Sequence, residues 1–358
     1  MEVFWFIVLM LMLSVYIILD GYDFGAGIIH LFFAKKEEDK VAITKSIGPF
    51  WDANEVWLIA SGGVLFFAFP TLYASSFSGF YLPLIMILWL LIFRAIGLEL
   101  RGEVNNKLWK KVWDKAFGLA SLLLALFFGL ALGNVVRGVN LGAVENGVST
   151  HEAIYFFVPL WNAEFSPFSE ALGIIDWFTI LLGIIAVVAL TIHGANWIIL
   201  KTNSSINNKL KDVIFKLSVA LSLLVIVSII VWGYVSEHPL DNFNNYPFLY
   251  IFPLIGVFGL FNLFRVKKLK QESSGFLYSS MFLFGAFATT ASALFPVVLP
   301  STNNINPSLT VYNTAAGSYG LNVGIYWWVI AIILVAIYLF IQYKMFSGKM
   351  DDVPYGHH

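Results

Sequence analysis

Long apolar stretches alternate with short polar breaks along the chain, and this pattern predicts an all-α membrane protein. A transmembrane helix needs about 20 mostly apolar residues. Nine such stretches can be recognised, centred near Tyr16, Ser61, Leu88, Leu126, Ile185, Leu224, Leu254, Leu283 and Leu334. The first stretch lacks the basic segment that precedes a cleaved signal peptide, so we expect it to remain as a helix. The sequence therefore predicts a polytopic protein with nine transmembrane helices.

The basic residues give these helices an orientation. Twenty of the 21 Lys and Arg residues fall in alternate breaks, on one side of the predicted membrane. Arg137 falls on the other side, where acidic residues collect: Glu145, Glu152, Glu164, Glu170, Glu237 and Asp241. Because basic residues mark cytoplasmic loops, we predict an external N-terminus and a cytoplasmic C-terminus.

The overall composition supports a membrane protein and excludes several classes of function. Charged residues make up 12% of the chain, against roughly 25% in a typical soluble domain. The net charge is −1, which argues against nucleic acid as a partner. Cys is absent from the sequence, so disulfides, thiolate metal sites and Cys nucleophiles are excluded.

Two short matches suggest an internal duplication. Phe24-Gly25-Ala26 resembles His193-Gly194-Ala195, and Phe93-Arg94 resembles Phe264-Arg265. On this basis we predict two four-helix bundles, at residues 1–140 and 171–300, joined by an external loop at residues 141–170. Residues 301–358 then hold an external loop, the additional ninth helix and a cytoplasmic tail. Matches this short also arise by chance, so duplication and coincidence both stay open.

Two carboxyl groups are predicted near mid-membrane, where charge is costly. Asp20 and Asp23 precede Lys35 by 15 and 12 residues, which places them roughly 18–22 Å from the basic edge. They share a helix face, and the neighbouring Gly21, Gly25 and Gly27 allow another helix or a cofactor to approach closely. The pair either locks helices together by hydrogen bonds or relays protons, and relay is favoured because one Asp would suffice for a lock.

A second acidic group begins the second predicted span. Pro49 suits the first turn of a helix, and Asp52 and Glu55 follow it close to the cytoplasmic surface. Carboxylates are also favoured at a helix N-terminus by the backbone dipole, which is the structural alternative. Trp51 and Trp57 have a similar alternative, as members of the interfacial aromatic belt.

Arg94 and Glu99 form a third group near the cytoplasmic end of the third span. Arg94 lies seven residues inside Arg101, and so roughly 10 Å deep. It either extends its guanidinium to the interface or pairs with a buried carboxylate. His30 and His193 are the histidines within predicted spans. We interpret both as hydrogen-bond partners, with haem ligation as the less favoured alternative.

Two long motifs resemble the signatures of one family. The segment LDGYDFGAG at residues 19–27 resembles the first-helix signature of subunit II of cytochrome bd-type quinol oxidases. The segment GPFWDANEVWL at residues 48–58 resembles the second signature of that family, with Ala53 where Gly is common. Shorter matches follow in the same order: Ser78-Gly79-Phe80-Tyr81, Phe93-Arg94, Phe295-Pro296 through Pro300-Ser301, Ser308-Leu309-Thr310 and Leu321-Asn322-Val323.

This resemblance implies a subunit of a terminal respiratory oxidase in the bacterial inner membrane. The complex oxidises quinol and reduces O2 to water, and the subunit is not active alone. Haems b and d belong to the partner, subunit I, and this chain binds none by itself. A small single-helix accessory subunit is a further partner in the implied complex.

The resemblance also implies roles for single residues. Asp52 and Glu99 match acidic positions at the entrance of a cytoplasmic proton path, and Asp23 matches the deeper membrane aspartate. We therefore predict a proton path of Asp23, Asp52, Glu99, Arg94, Asp20 and Glu55. Trp51 lies beside a site that holds a structural quinone in some members. The alternative function is a proton-coupled secondary transporter, since membrane carboxylates, repeats and broken spans serve such proteins too.

Overall fold

α-Helices form most of the described chain. The computed structural model describes residues 1–142, 144–145, 148–149, 158–169, 172–236, 239–303 and 305–350. Within these residues the helices are α1 (Glu2–Phe32), α2 (Glu37–Ile47), α3 (Trp51–Ala68), α4 (Pro70–Gly79), α5 (Tyr81–Leu100), α6 (Lys107–Arg137), α7 (Trp177–Lys201), α8 (Ile206–Val235), α9 (Asp241–Asn245), α10 (Ile251–Leu263), α11 (Glu272–Leu294) and α12 (Ser318–Met345). The all-α prediction is confirmed.

The remaining elements are short. Two antiparallel pairs join β1 (Val144–Glu145) to β2 (Val148–Ser149) and β3 (Val297–Leu299) to β4 (Leu309–Thr310). Single 3₁₀ turns cover Pro247–Tyr250 and Val266–Lys268. Of the predicted external acidic residues, Glu152, Glu170 and Glu237 lie outside the described residues, as does part of the predicted external loop.

Each of the nine predicted centres falls within a helix, but not every helix qualifies as a span. In the described chain seven helices are long and apolar enough to cross a membrane: α1, α5, α6, α7, α8, α11 and α12. The second predicted span is a broken one, because α3 and α4 meet at an angle of 119°. The seventh is a shorter apolar segment, Pro247–Leu263. Seven spans, or eight with the bent pair, are thus accounted for, and the count of nine stays a prediction.

The break in the second span is explained by proline. Pro70 opens α4 directly after Phe69, which has non-helical backbone angles, and proline cannot continue a preceding helix without loss of a hydrogen bond and a steric clash. The Gly-rich part of the first span is not broken, since α1 is continuous from Glu2 to Phe32.

The glycines of α1 serve close helix packing instead. A Cβ atom on Gly25 would overlap the backbone of Leu190 and Gly194 in α7, and one on Gly27 would overlap Ser121 in α6. Gly194 faces the backbone of Gly25 and Ala26 in return. The two segments that suggested a duplication therefore lie against each other at the centre of the molecule.

The neighbours of each helix follow a repeated pattern. In the first half α1 contacts α3 and α6, and α6 contacts α5; in the second half α7 contacts α8 and α11, and α11 contacts α10. The halves meet through α1 with α7, α6 with α7 and α1 with α11. This pattern favours a duplication, although the division into two bundles stays a prediction.

Gly25→Ala is expected to destabilise the protein by about 1–3 kcal/mol, the usual cost of adding atoms to a tightly packed interior. The matched control is Gly233→Ala in α8, because a Cβ atom there meets nothing within 4 Å. The measurement is the thermal midpoint of the purified, membrane-extracted protein. Equal midpoints for the two variants would show that the contact between α1 and α7 tolerates a methyl group.

Arg137, the exception to the charge pattern, is buried at the end of α6. Its guanidinium forms an ion pair with Asp176 and donates to the carbonyl oxygens of Gly138 at 3.1 Å and Gly173 at 3.0 Å. Asp176 also caps α7 by accepting from the amides of Phe178 and Thr179. The basic residue that departs from the predicted charge pattern is therefore neutralised inside the protein.

Candidate functional site

A buried polar cluster lies inside the bundle, on the face of α1 that carries Asp20 and Asp23. Both side chains are fully buried, each with a relative exposure of 0%. The two residues are three positions apart on α1 and so share a helix face. The predicted shared helix face of these residues thus agrees with the structure, and their depth in the membrane stays a prediction.

Arg94 of α5 reaches this cluster and holds two carboxylates. Its Nη1 lies 2.6 Å from Oδ1 of Asp20, and its Nη2 lies 3.2 Å from Oε2 of Glu55. The guanidinium also stacks over the ring of Phe24, 4.7 Å from the ring centre. With a relative exposure of 2%, Arg94 pairs with a buried carboxylate and does not extend to the interface. Glu55, whose side chain is 19% exposed, connects this pair to the outside of the bundle.

Asp23 is held from the opposite side by Asn54 of α3. The Asn54 Nδ2 atom donates to Oδ2 of Asp23 at 2.8 Å and to the hydroxyl of Tyr22 at 2.6 Å. The hydroxyls of Tyr22 and Tyr343 lie 2.9 Å apart, and Tyr343 donates to Oδ1 of Asn54 at 3.2 Å. The last helix, α12, therefore contributes to the surroundings of Asp23, which no sequence spacing had indicated.

The other predicted residues lie at the rim, apart from this cluster. Trp51 donates from its Nε1 to Oε1 of Glu99 at 3.1 Å, and Glu99 and Asp52 are both exposed. Glu99 is thus paired with Trp51, although the sequence had grouped it with Arg94. The predicted residues divide into an inner set, the buried Asp20, Asp23 and Arg94 with the partly exposed Glu55, and a rim set, the exposed Asp52 and Glu99 with the half-buried Trp51.

A groove runs along the outside of the bundle between α1, α3 and α12. Its volume is about 530 Å³. The described lining is almost entirely apolar or aromatic, with Asp52 as the charged member, and includes Trp57, Val64, Trp328, Val335 and Leu339. The groove is thus an elongated apolar space with a carboxylate among its walls.

A second ionic cluster, which the sequence did not predict, lies where α1 and α5 end and α6 begins. Asp114 accepts from His30 at 2.7 Å, from Lys40 at 2.7 Å and from Arg101 at 2.5 Å. Arg101 also pairs with Glu37 at 2.8 Å. Burial lowers the pKa of Arg101, but hydrogen bonds to Asp114 and Glu37 outweigh this and raise the pKa above its usual value. The sequence signal for this cluster was Asp114, which lies among basic residues in the first turns of α6.

Both histidines within predicted spans bind protein groups. His193 Nε2 lies 2.8 Å from the carbonyl oxygen of Ile18, and its Nδ1 lies 2.8 Å from Oγ of Ser279. Because a carbonyl only accepts, Nε2 carries the proton. His30 contacts Asp114 through Nε2. In the described part of the chain no group of three or more His, Cys, Asp and Glu side chains is arranged to hold a metal ion.

Comparison with known proteins gives one consistent result. The model of the family described as cytochrome bd terminal oxidase subunit II matches residues 1–346. The probable cytochrome oxidase subunit 2 of Haemophilus influenzae is 27% identical, over 97% of this chain and 94% of that protein. The cytochrome bd-I ubiquinol oxidase subunit 2 of Escherichia coli K12 is 26% identical, over 96% of this chain and 93% of that protein.

A further relative and a solved structure agree. The cytochrome bd ubiquinol oxidase subunit 2 of Bacillus subtilis is 28% identical, over 89% of this chain and 88% of that protein. A chain in the structure of the bd oxidase from Geobacillus thermodenitrificans superposes with a TM-score of 0.72 at 16% identity, covering 97% of this chain and 99% of that one. This last match shows a shared fold.

Proposed function

The chain belongs to the family of cytochrome bd terminal oxidase subunit II, and on that premise we propose how it serves the oxidase. The complex oxidises quinol and reduces O2 to water in aerobic respiration. This chain supports the haem-bearing subunit I and lines a path that takes up protons from the cytoplasm. The observation that carries the proposal is the buried chain of contacts from Glu55 through Arg94 to Asp20.

The proton path begins at exposed carboxylates and ends at buried ones. Asp52 and Glu99 collect protons at the rim, where both are exposed. Glu55 is partly exposed and contacts Arg94, so it links the rim to Asp20 and Asp23. Each buried carboxyl group keeps one oxygen without a hydrogen-bond partner among the described residues, Oδ2 of Asp20 and Oδ1 of Asp23. Such oxygens suit bound waters or a shared proton.

The groove beside α12 fits a structural quinone. An isoprenoid chain needs a long apolar surface, and the groove walls are aromatic and aliphatic over most of their length. Asp52 supplies a polar contact for a headgroup, and Trp51 precedes it at the start of α3. The quinone would act there as a structural ligand, separate from the quinol that is oxidised.

The partner is subunit I, and we place it against α3, α5 and α12. These helices expose large aromatic side chains: Phe66, Trp89, Phe93, Tyr326 and Trp327. The apolar window of α12 has no buried residue in this chain, which suits a helix covered by another subunit. A single-helix accessory subunit would pack on a remaining lipid-facing surface.

The transporter alternative is weaker. The observation that supports it is the broken span of α3 and α4, since broken helices often form transporter sites. The family match over residues 1–346 favours the oxidase subunit.

The isolated chain is expected to show no haem spectrum, and oxidase activity is expected only after pairing with subunit I. The physical reason is the hydrogen bonding of both span histidines to protein groups. The measurement is the visible spectrum and O2 consumption of the purified chain, alone and with its partner. A stoichiometric haem spectrum from the chain alone would contradict the proposal.

The proposed orientation predicts the outcome of reporter fusions. Fusions after residues 145, 241 and 310 should report the external side, and those after 40, 107, 205 and 270 the cytoplasm, because the basic residues cluster in the latter breaks. Alkaline phosphatase and a fluorescent protein provide complementary readouts. One clear inversion would show that the number of spans is wrong.

A further inference from the structure

The hydrogen bonds around Asn54 can be assigned a direction. An amide side chain has two N–H donors and one oxygen acceptor, whereas a phenol hydroxyl donates once and also accepts. Asn54 Nδ2 lies 2.6 Å from the Tyr22 hydroxyl, and Oδ1 lies 3.2 Å from the Tyr343 hydroxyl. Tyr343 therefore donates to Asn54, and Tyr22 donates to Tyr343 over 2.9 Å. The three side chains form a closed ring.

The ring leaves one N–H of Asn54 for Asp23. That N–H points to Oδ2 of Asp23 at 2.8 Å, with a longer contact to the carbonyl oxygen of Leu19 at 3.3 Å. Rotating the amide by half a turn would set its oxygen against the carboxyl oxygen of Asp23. The amide is therefore fixed as a donor, and Oδ2 of Asp23 is fixed as an acceptor.

The other oxygen of Asp23 faces a different environment. Oδ1 of Asp23 and Oδ2 of Asp20 are buried, and neither has a hydrogen-bond partner among the described residues. Asp20 and Asp23 are three residues apart on α1 and share a helix face, and two carboxyl groups can bond to each other only when one carries a proton. Arg94 binds Oδ1 of Asp20 at 2.6 Å, which favours the anionic form of Asp20 and leaves the proton on Asp23.

We propose that Asn54 is a positioning residue that orients Asp23 so that Asp23 and Asp20 share a single proton. The proton lies on Oδ1 of Asp23 and points to Oδ2 of Asp20. Transfer breaks the O–H bond on Asp23 and forms one on Asp20, so the negative charge moves the opposite way and no other reactant is needed. The inference rests on the proposed proton path and adds a residue that no sequence reasoning had assigned to it.

The ring also sets a boundary to the path. A neutral amide conducts protons poorly, because it neither gains nor loses a proton readily. Protons therefore reach Asp23 from the side of Glu55 and Asp20, and not along α12 through Tyr343.

The test is infrared spectroscopy of the assembled oxidase during exchange from H2O to D2O. The wild-type complex is expected to show the C=O stretching band of a protonated carboxylic acid, shifted downward in D2O. Asp23→Asn should remove this band. Asp212→Asn in α8, an exposed residue paired with Lys267, should leave both the band and the turnover unchanged. A wild-type complex without such a band, or a band that survives Asp23→Asn, would overturn the shared proton.

Asn54→Leu tests the positioning role, because Leu branches at Cγ as Asn does and has no hydrogen-bonding group. We expect the band to move toward that of a weakly bonded acid and turnover to fall by roughly tenfold to a hundredfold, with normal haem content. An unchanged band would overturn the role of Asn54. If Asn54→Leu fails to assemble, Tyr343→Phe opens the ring from the far side and should shift the band in the same direction; no shift there would overturn it equally.

The outcomes separate this inference from the proposed function. A band that responds to Asp23→Asn and to Asn54→Leu, together with full turnover in both variants, would support the shared proton. That result would remove the pair from the proton path. Slow turnover in both variants without any acid band would overturn the shared proton and would keep the pair in the proton path.

Discussion

Asp23→Asn oxidase is expected to assemble with its full haem content and to reduce O2 between several-fold and about a hundredfold more slowly. Asn keeps the size of Asp and accepts the hydrogen bond from Asn54, but it cannot ionise. In the proposed assembly the haems belong to the partner subunit, so haem reduction should stay normal. The measurement is steady-state O2 consumption per haem, with haem content from the reduced spectrum.

Two further variants serve as comparisons for Asp23→Asn. Asp52→Asn should act in the same way but more weakly, since Asp52 is exposed and water or Glu55 can replace it. Asp212→Asn serves as the control on a distant exposed face, where an isolated ion pair contributes little. Full turnover in fully assembled Asp23→Asn oxidase would remove Asp23 from the proton path, whereas lost assembly would indicate a packing role.

Arg94→Met is expected to give the largest loss of stability. Arg94 is the cation that lies against Asp20 and Glu55, and Met approximates the volume of its aliphatic part. Removing one partner of a buried ion pair costs about 3–5 kcal/mol, because a charge is left without compensation. We expect little assembled oxidase in the membrane and a much lower thermal midpoint for what assembles.

A second substitution tests the cause of that loss. Asp20→Asn combined with Arg94→Met removes the uncompensated charge, so the double variant should recover much of the lost assembly. Arg94→Lys should rank between wild type and Arg94→Met, because Lys keeps the charge without the planar fork of donors. A double variant no better than Arg94→Met alone would mean that packing over Phe24, and not charge, explains the effect.

That Asp20 and Asp23 lie on one face of a single helix was predictable from the sequence, because residue positions along a helix can be counted. The position of Asp20 and Asp23 relative to Lys35, and the closeness of Gly25 to another helix, follow from such local counting. The long motifs at residues 19–27 and 48–58 added the family. Both kinds of information act within one helix or one short segment.

The partners of these residues were not predictable, because each is set by packing between distant helices. Arg94 is 74 residues from Asp20, and Tyr343 is 289 residues from Asn54. Five residues separate Arg94 from Glu99, yet that spacing turns the two side chains to different sides of α5. Glu99 consequently meets Trp51 at the surface. The ionic cluster around Asp114 was missed for the same reason, since its members come from α1, α2, α5 and α6.

The ion pair of Arg137 and Asp176 bears on how the chain is inserted during synthesis. In the proposed orientation, α6 and α7 form a hairpin whose connection is translocated across the membrane. Carrying one positive charge outward against a membrane potential costs about 2.3 kcal/mol per 100 mV. Arg137 ends α6 and Asp176 precedes α7, so both cross in the same hairpin, and their charges cancel. The translocated pair is electrically neutral, and the membrane potential neither assists nor opposes its passage.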